Sequence, residues 1–194
     1  FISNFDRTRI LVLSFNFGGI MYYSKINECD IANGSGVRVS VFVSGCTNHC
    51  EGCFQPETWD FKYGKKFTGN TIGFIVDLLK RPFIKGLSIL GGEPLEPQNQ
   101  KSILELILVI RQEVPSKDIW CYSGFTLEQL LDVSSYIHTE YLLNILHNID
   151  VLVDGRFILS KKNIGLKFRG SENQRLIDIK QTLLSNSIVQ IIQD

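Results

Sequence analysis

Four short apolar runs recur along the chain, and each stops at residues with unusual backbone freedom or side-chain chemistry. Val37-Arg38-Val39-Ser40-Val41-Phe42-Val43 alternates and is β-branched, so it reads as a strand, and it runs into Cys46-Thr47-Asn48-His49-Cys50-Glu51-Gly52-Cys53-Phe54. Gly86-Leu87-Ser88-Ile89-Leu90 ends at Gly91-Gly92-Glu93-Pro94, Asp118-Ile119-Trp120-Cys121-Tyr122 at Ser123-Gly124, and Ile149-Asp150-Val151-Leu152-Val153 at Asp154-Gly155. Helical spacing separates the runs: over 71–81 up to Pro82, over 101–113 after Pro97 and Asn99, from Thr126 with Gln129 as a capping box, and over 135–146. Strands alternating with helices predict βαβ units and a mainly parallel sheet. The C-terminal ends of parallel strands share one edge, where α/β proteins build their sites. The cysteine loop and the three glycine-bearing turns are therefore expected on one face. From Phe168 onward the period fits strand or helix.

The 194 residues suffice for one domain with a core, and no internal repeat or low-complexity linker divides them. A closed eight-unit α/β barrel takes about 250 residues. With about four βα units, this sheet is expected to stay open on one side, where a loop of another protein could enter. The formal charge is zero, which argues against a broad nucleic-acid surface. No apolar run approaches the length of a membrane span. Five cysteines, three of them within eight residues, suit a reducing, cytoplasmic setting and a metal or redox site better than a secreted disulfide framework.

The spacing C-x3-C-x2-C admits three chemistries. Structural zinc needs four closed ligands, and His49, Cys29 or Cys121 would have to supply the last one. A redox dithiol would use Cys50 and Cys53 and leave Cys46 idle. A cubane iron–sulfur cluster held by only three thiolates would keep one iron free to bind a further ligand. His49, His138 and His147 have no acid or nucleophile placed to make them catalytic. Cys29 and Cys121 read as small apolar residues, and Phe42, Trp59 and Trp120 as core.

The cysteine spacing after the first strand, with Gly-Gly-Glu-Pro after the second, resembles the radical S-adenosylmethionine (AdoMet) superfamily. Within it the chain is similar to the activating proteins of anaerobic (class III) ribonucleoside-triphosphate reductases. The resemblance covers about residues 21–176 and is carried by Asp30 to Arg38, Phe42 to Trp59, Leu90 to Leu95 with Pro97-Gln98-Asn99, Lys117 to Trp120, Val151 to Phe157, and Arg169 to Arg175. It implies a partial, open (βα) barrel in a single radical AdoMet domain over 21–194. It implies a [4Fe–4S] cluster on Cys46, Cys50 and Cys53, with AdoMet chelating the open iron. Gly91 and Gly92 would let backbone approach the methionyl group, and Glu93 would face its ammonium and sulfonium, or else pair with a Lys or Arg. Many superfamily members carry an aromatic residue before the third cysteine. Here Gly52 stands there and Phe54 follows, which moves the expected adenine contact onto Gly52-Cys53-Phe54. Ser123, Asp154 and Arg169 are further candidates for the AdoMet site, and Asn33-Gly34 to Arg38 for a loop near cofactor or partner.

The implied activity is one-electron cleavage of AdoMet and formation of a glycyl radical on the reductase, with a flavodoxin or ferredoxin as electron donor. Alternatives are a small-molecule radical AdoMet enzyme similar to 7-carboxy-7-deazaguanine synthase, an activase of another glycyl-radical enzyme, and a non-catalytic zinc module. The single methionine, Met21, follows Gly18-Gly19-Ile20, and Gly18-Gly19 could be encoded by an in-frame ribosome-binding sequence. Residues 1–20 are therefore expected to be a translated leader or an extension. The intact mass of protein from the native gene tests this.

Overall fold

The computed structural model describes residues 20–192, so the expectation about a leader concerns residues that lie, but for Ile20, outside the described ones. Among the described residues, seven strands form one sheet in the order β3-β1-β2-β4-β5-β6-β7. They are β1 (Tyr22–Asp30), β2 (Arg38–Val43), β3 (Lys65–Lys66), β4 (Gly86–Gly91), β5 (Asp118–Tyr122), β6 (Val151–Asp154) and β7 (Arg175–Asp178). The four central strands β2, β4, β5 and β6 pair in parallel, as the sequence pattern predicts. β1 pairs antiparallel with β2 and β3, and β7 pairs antiparallel with β6. The sheet is thus mixed α/β, parallel at its centre and antiparallel at both ends, and it is not closed. "Mainly parallel" holds only for the centre.

Among the described residues, four α-helices connect strands, α1 (Gly69–Leu79), α2 (Pro97–Glu113), α3 (Leu127–Leu131) and α4 (Leu142–Asn148), and a fifth, α5 (Ile179–Ser185), follows β7. Strand side chains alternate between two faces, and the two faces are used differently. Val39, Val41 and Val43, Leu87 and Ile89, Ile119 and Cys121, and Leu152 pack with Ile72, Ile75, Ile103, Ile107 and Ile145 of the helices in one core. The opposite face carries a smaller cluster of Trp120, Val151, Val153 and Leu176, with Tyr122 and Phe168 packed on it. Arg38 fills this second face below the strand ends. It is fully buried, paired with Asp118, hydrogen-bonded to Ser88 Oγ (2.8 Å) and stacked 5.1 Å from the Trp120 ring. Among the described residues the helices pack on the first face, and the second is left for a site.

Local chemistry accounts for most element ends. Thr68 and Thr126 form capping boxes at α1 and α3. Asp178 accepts from the Gln181 amide and opens α5, so the ambiguous C-terminal stretch is a strand followed by a helix. The helix expected over 135–146 is shorter, starting at Leu142. Gln100 Nε2 donates to the Ile137 C=O (2.7 Å), so that carbonyl is bonded across to α2 instead of along a helix.

Candidate functional site

The cysteine loop leaves the end of β2 and is pinned mostly through backbone. Gly45 N–H donates to Thr58 C=O (2.8 Å), Cys46 N–H to Trp59 C=O (3.3 Å), and Glu93 N–H to Gly45 C=O (2.8 Å). A short 3₁₀ turn, Pro56–Trp59, thus carries the loop's return strand of contacts. Cys46, Cys50 and Cys53 line one cleft of about 680 Å³, together with Gly91, Gly92, Glu93, Ser123, Gly124 and Gly155. All four strand-terminal stretches meet there, as the βα pattern predicts.

Glu93 is 1% exposed, and its carboxylate accepts four hydrogen bonds. Oε1 takes the Leu95 amide (3.0 Å) and Ser123 Oγ (3.0 Å); Oε2 takes the Gly124 amide (2.7 Å) and Asn48 Nδ2 (3.1 Å). Among the described residues no Lys or Arg forms an ion pair with it. Burial outweighs these bonds and pushes its pKa up to about 7. Such a buried, uncompensated carboxylate on a cleft wall suits a cationic ligand.

Gly91 and Gly92 line the cleft, but their lack of side chains has a nearer cause. A Cβ on Gly91 would meet Val43 N and O at 2.7 Å, and one on Gly92 would meet Gly45 O at 2.7 Å and Thr58 O at 3.0 Å. Both glycines are required for the β4 end to lie against β2 and the cysteine loop. Ser123 lines the cleft with its hydroxyl on Glu93. Arg169 lines it as well, and its Nη1 donates to Gln174 C=O (2.8 Å).

Asp154 is placed differently. Its carboxylate is fully buried, accepts the Leu127 amide (2.7 Å) and pairs with Arg175, and its neighbour Gly155 is the residue on the cleft wall. Gly52, at φ +73°, packs toward Leu159, while Cys53 and Phe54 face the cleft. Phe54 is 74% exposed, 5.9 Å from the Phe157 ring and 5.2 Å from Lys162 Nζ. Asn33 reaches the cleft from the loop after β1, held by Asp30 (2.7 Å).

The other candidates fall outside this arrangement. His49 stacks on Trp59 with ring centroids 4.5 Å apart. Cys121 lies in the helix-side core, and Cys29 is exposed on β1. Trp120 is core as expected, whereas Phe42 and Trp59 are half-buried and line the cleft. Among the described residues no three His, Cys, Asp or Glu side chains gather around a single-ion site, which the zinc reading would require.

The sequence reading missed Tyr122, Asn48 and the far wall. Tyr122 lines the cleft, and its buried hydroxyl has no hydrogen-bond partner among the described residues. Burial pushes its pKa above the usual tyrosine value. The strand alternation holds the signal: Tyr122 faces away from the helix-side Cys121. Phe157, Lys162, Asn163, Ile164, Leu166 and Phe168 build the far wall. They lie in a loop with no period to read. Three thiols free of disulfides and a buried carboxylate on one cleft fit an iron–sulfur cluster with a cationic ligand beside it.

Comparison with known proteins agrees. Residues 32–177 match the family model of a 4Fe-4S single cluster domain. The anaerobic ribonucleoside-triphosphate reductase-activating protein of Enterobacteria phage T4 is 39% identical over 158 residues, covering 80% of this chain and 93% of the relative. The proteins of the same name from Vibrio cholerae and Escherichia coli are each 40% identical over 156 residues, covering 79% of this chain and 96% of the relative. The helices of the described residues include none long and apolar enough to cross a membrane. With its cysteine loop inside the matched cluster domain and these relatives matched over almost their whole length, the chain belongs to the family of anaerobic ribonucleoside-triphosphate reductase-activating proteins.

Proposed function

We propose that this chain activates an anaerobic ribonucleoside-triphosphate reductase by generating a glycyl radical on it. The site would use a [4Fe–4S] cluster on Cys46, Cys50 and Cys53 and AdoMet bound in the adjoining cleft. The observation that carries this reading is the convergence of the three cysteines, Glu93 and Tyr122 on one cleft. When bound, the cluster and AdoMet supply electron transfer to a sulfonium and a carbon-centred radical; the protein supplies binding, orientation and exclusion of water.

Cys46, Cys50 and Cys53 would hold the cluster, and three thiolates would leave one iron open to AdoMet. Glu93 offsets positive charge on AdoMet, and Ser123, Asn48 and the Gly124 amide keep its carboxylate in place. Cys53 and Phe54 flank the adenine side, with Arg169 on the far wall. We read the open sheet as the partial barrel of a single domain over 21–194. Its uncovered side admits the glycine-bearing loop of the reductase. A flavodoxin or ferredoxin fits as the electron donor, since the cluster takes one electron at a time.

The test is anaerobic reconstitution with iron and sulfide, reduction, and electron paramagnetic resonance with and without AdoMet. A reduced [4Fe–4S] signal that changes with AdoMet is expected, followed by a glycyl radical when the reductase is added. Retained zinc with no sulfide would overturn the reading. A signal indifferent to AdoMet would mean a closed cluster with a fourth protein ligand.

A further inference from the structure

We propose that Glu96 governs the cluster from behind the cysteine loop: its buried carboxylate fixes the Cys46–Cys50 arc through Thr47, and its charge lowers the cluster's reduction potential. This rests on the reading above that the loop holds a [4Fe–4S] cluster.

Glu96 is 2% exposed and stands at the N-cap of the 17-residue helix α2. An N-cap side chain usually accepts an amide of its own helix's first turn. Glu96 makes no such bond. Its Oε1 instead accepts both the amide (2.8 Å) and the hydroxyl (2.6 Å) of Thr47, the residue that follows Cys46. The Thr47 hydroxyl lies a further 3.2 Å from Tyr136 OH, so the brace ties α2 and the 132–141 turn to the loop. One carboxylate oxygen therefore sets the direction in which the chain leaves the first cysteine.

The start of a long helix presents the positive end of its dipole to a carboxylate. Among the described residues no Lys or Arg forms an ion pair with Glu96. A cluster on three thiolates gains one negative charge when it takes up one electron. An uncompensated carboxylate nearby opposes that gain, and net charge is among the factors that set cluster potentials. The consequence is a more strongly reducing cluster, as one-electron cleavage of a sulfonium requires.

Glu96→Gln separates brace from charge, since its amide oxygen still accepts from Thr47. The measurement is a redox titration of the reconstituted full chain without AdoMet, followed by electron paramagnetic resonance, with iron and sulfide analysed in parallel. Glu96→Gln should bind wild-type iron and become reducible at a higher potential, by at least tenfold in the reduction equilibrium, about 59 mV for a one-electron couple. Thr47→Val removes the hydroxyl bond and keeps the charge, so it should keep the wild-type potential. An unshifted potential in Glu96→Gln overturns the proposal, and so does a Thr47→Val potential raised as far as that of Glu96→Gln. A wild-type chain that takes up no cluster overturns the underlying reading as well, and the iron analysis tells that failure from an unshifted potential.

Discussion

Gly92 has no room for a methyl group, because its missing Cβ would press on two backbone carbonyls and not on a flexible side chain. Gly92→Ala should therefore cost about 1–3 kcal/mol by overpacking and displace the cysteine loop. The expected outcome is a lower melting temperature of the apo protein and less iron bound after reconstitution, before AdoMet is added. Normal iron with weakened AdoMet binding alone would instead place the Gly92 requirement at the ligand. Glu93 makes a second prediction at this scale. Its folded pKa of about 7 lies above the usual carboxylate value of 4.5, so the fold prefers its protonated form. That contribution is fully present below pH 4.5 and is lost as pH rises through about 7. Apo wild type should lose melting temperature between pH 5 and 8 relative to Glu93→Gln, measured by paired thermal scans. Equal slopes would mean the carboxylate finds a cation that the buried geometry does not provide.

At the scale of elements, the β6–β7 junction explains why Asp154 was legible as special but not as what it is. A polar residue after a buried strand, followed by glycine, looks like a cleft residue in sequence. The antiparallel pairing of β7 with β6, which has no local sequence signal, brings Arg175 opposite Asp154 and turns that carboxylate into a tie between strand and α3. Asp154→Asn should cost about 2 to 3 kcal/mol. That is below the range for breaking a fully buried pair, since the Arg175 side chain is 24% exposed and keeps Glu128. The AdoMet-dependent change in the cluster signal should survive in the folded fraction. Loss of that change at wild-type stability would put Asp154 in the site. The elements that were legible carry their own punctuation: the Thr126 capping box for α3, Pro115 after α2, and Gly91-Gly92 after β4. β1 and β3 were missed because Tyr22–Asp30 is half-exposed and alternates weakly, and β3, at the sheet's edge, is only two residues long.

For the whole molecule, what the sequence could show was the edge of the site and not its wall. Cysteines and glycines at strand ends report themselves through residue type. The wall over 155–174 is held by scattered contacts, such as Gln174 Nε2 on Gly155 C=O (3.0 Å) and Asn173 Nδ2 on Arg156 C=O (2.8 Å), that no period encodes. It also concentrates charge. Arg156, Lys161, Lys162, Lys167 and Arg169 fall in a run without an acidic residue, although the chain as a whole is neutral. Most of this wall between Arg156 and Lys167 is exposed, whereas the helix-side core is closed, so the two parts should open independently. Hydrogen exchange of the reconstituted protein tests this. AdoMet should slow exchange across 155–174 and 46–54 and leave α1 and α2 unchanged. Protection confined to 46–54 would mean that the ligand sits on the cysteine loop alone and that the far wall faces only the protein partner. Protection spread evenly over α1 and α2 would mean that ligand binding and global stability are a single equilibrium, with no separate wall to close.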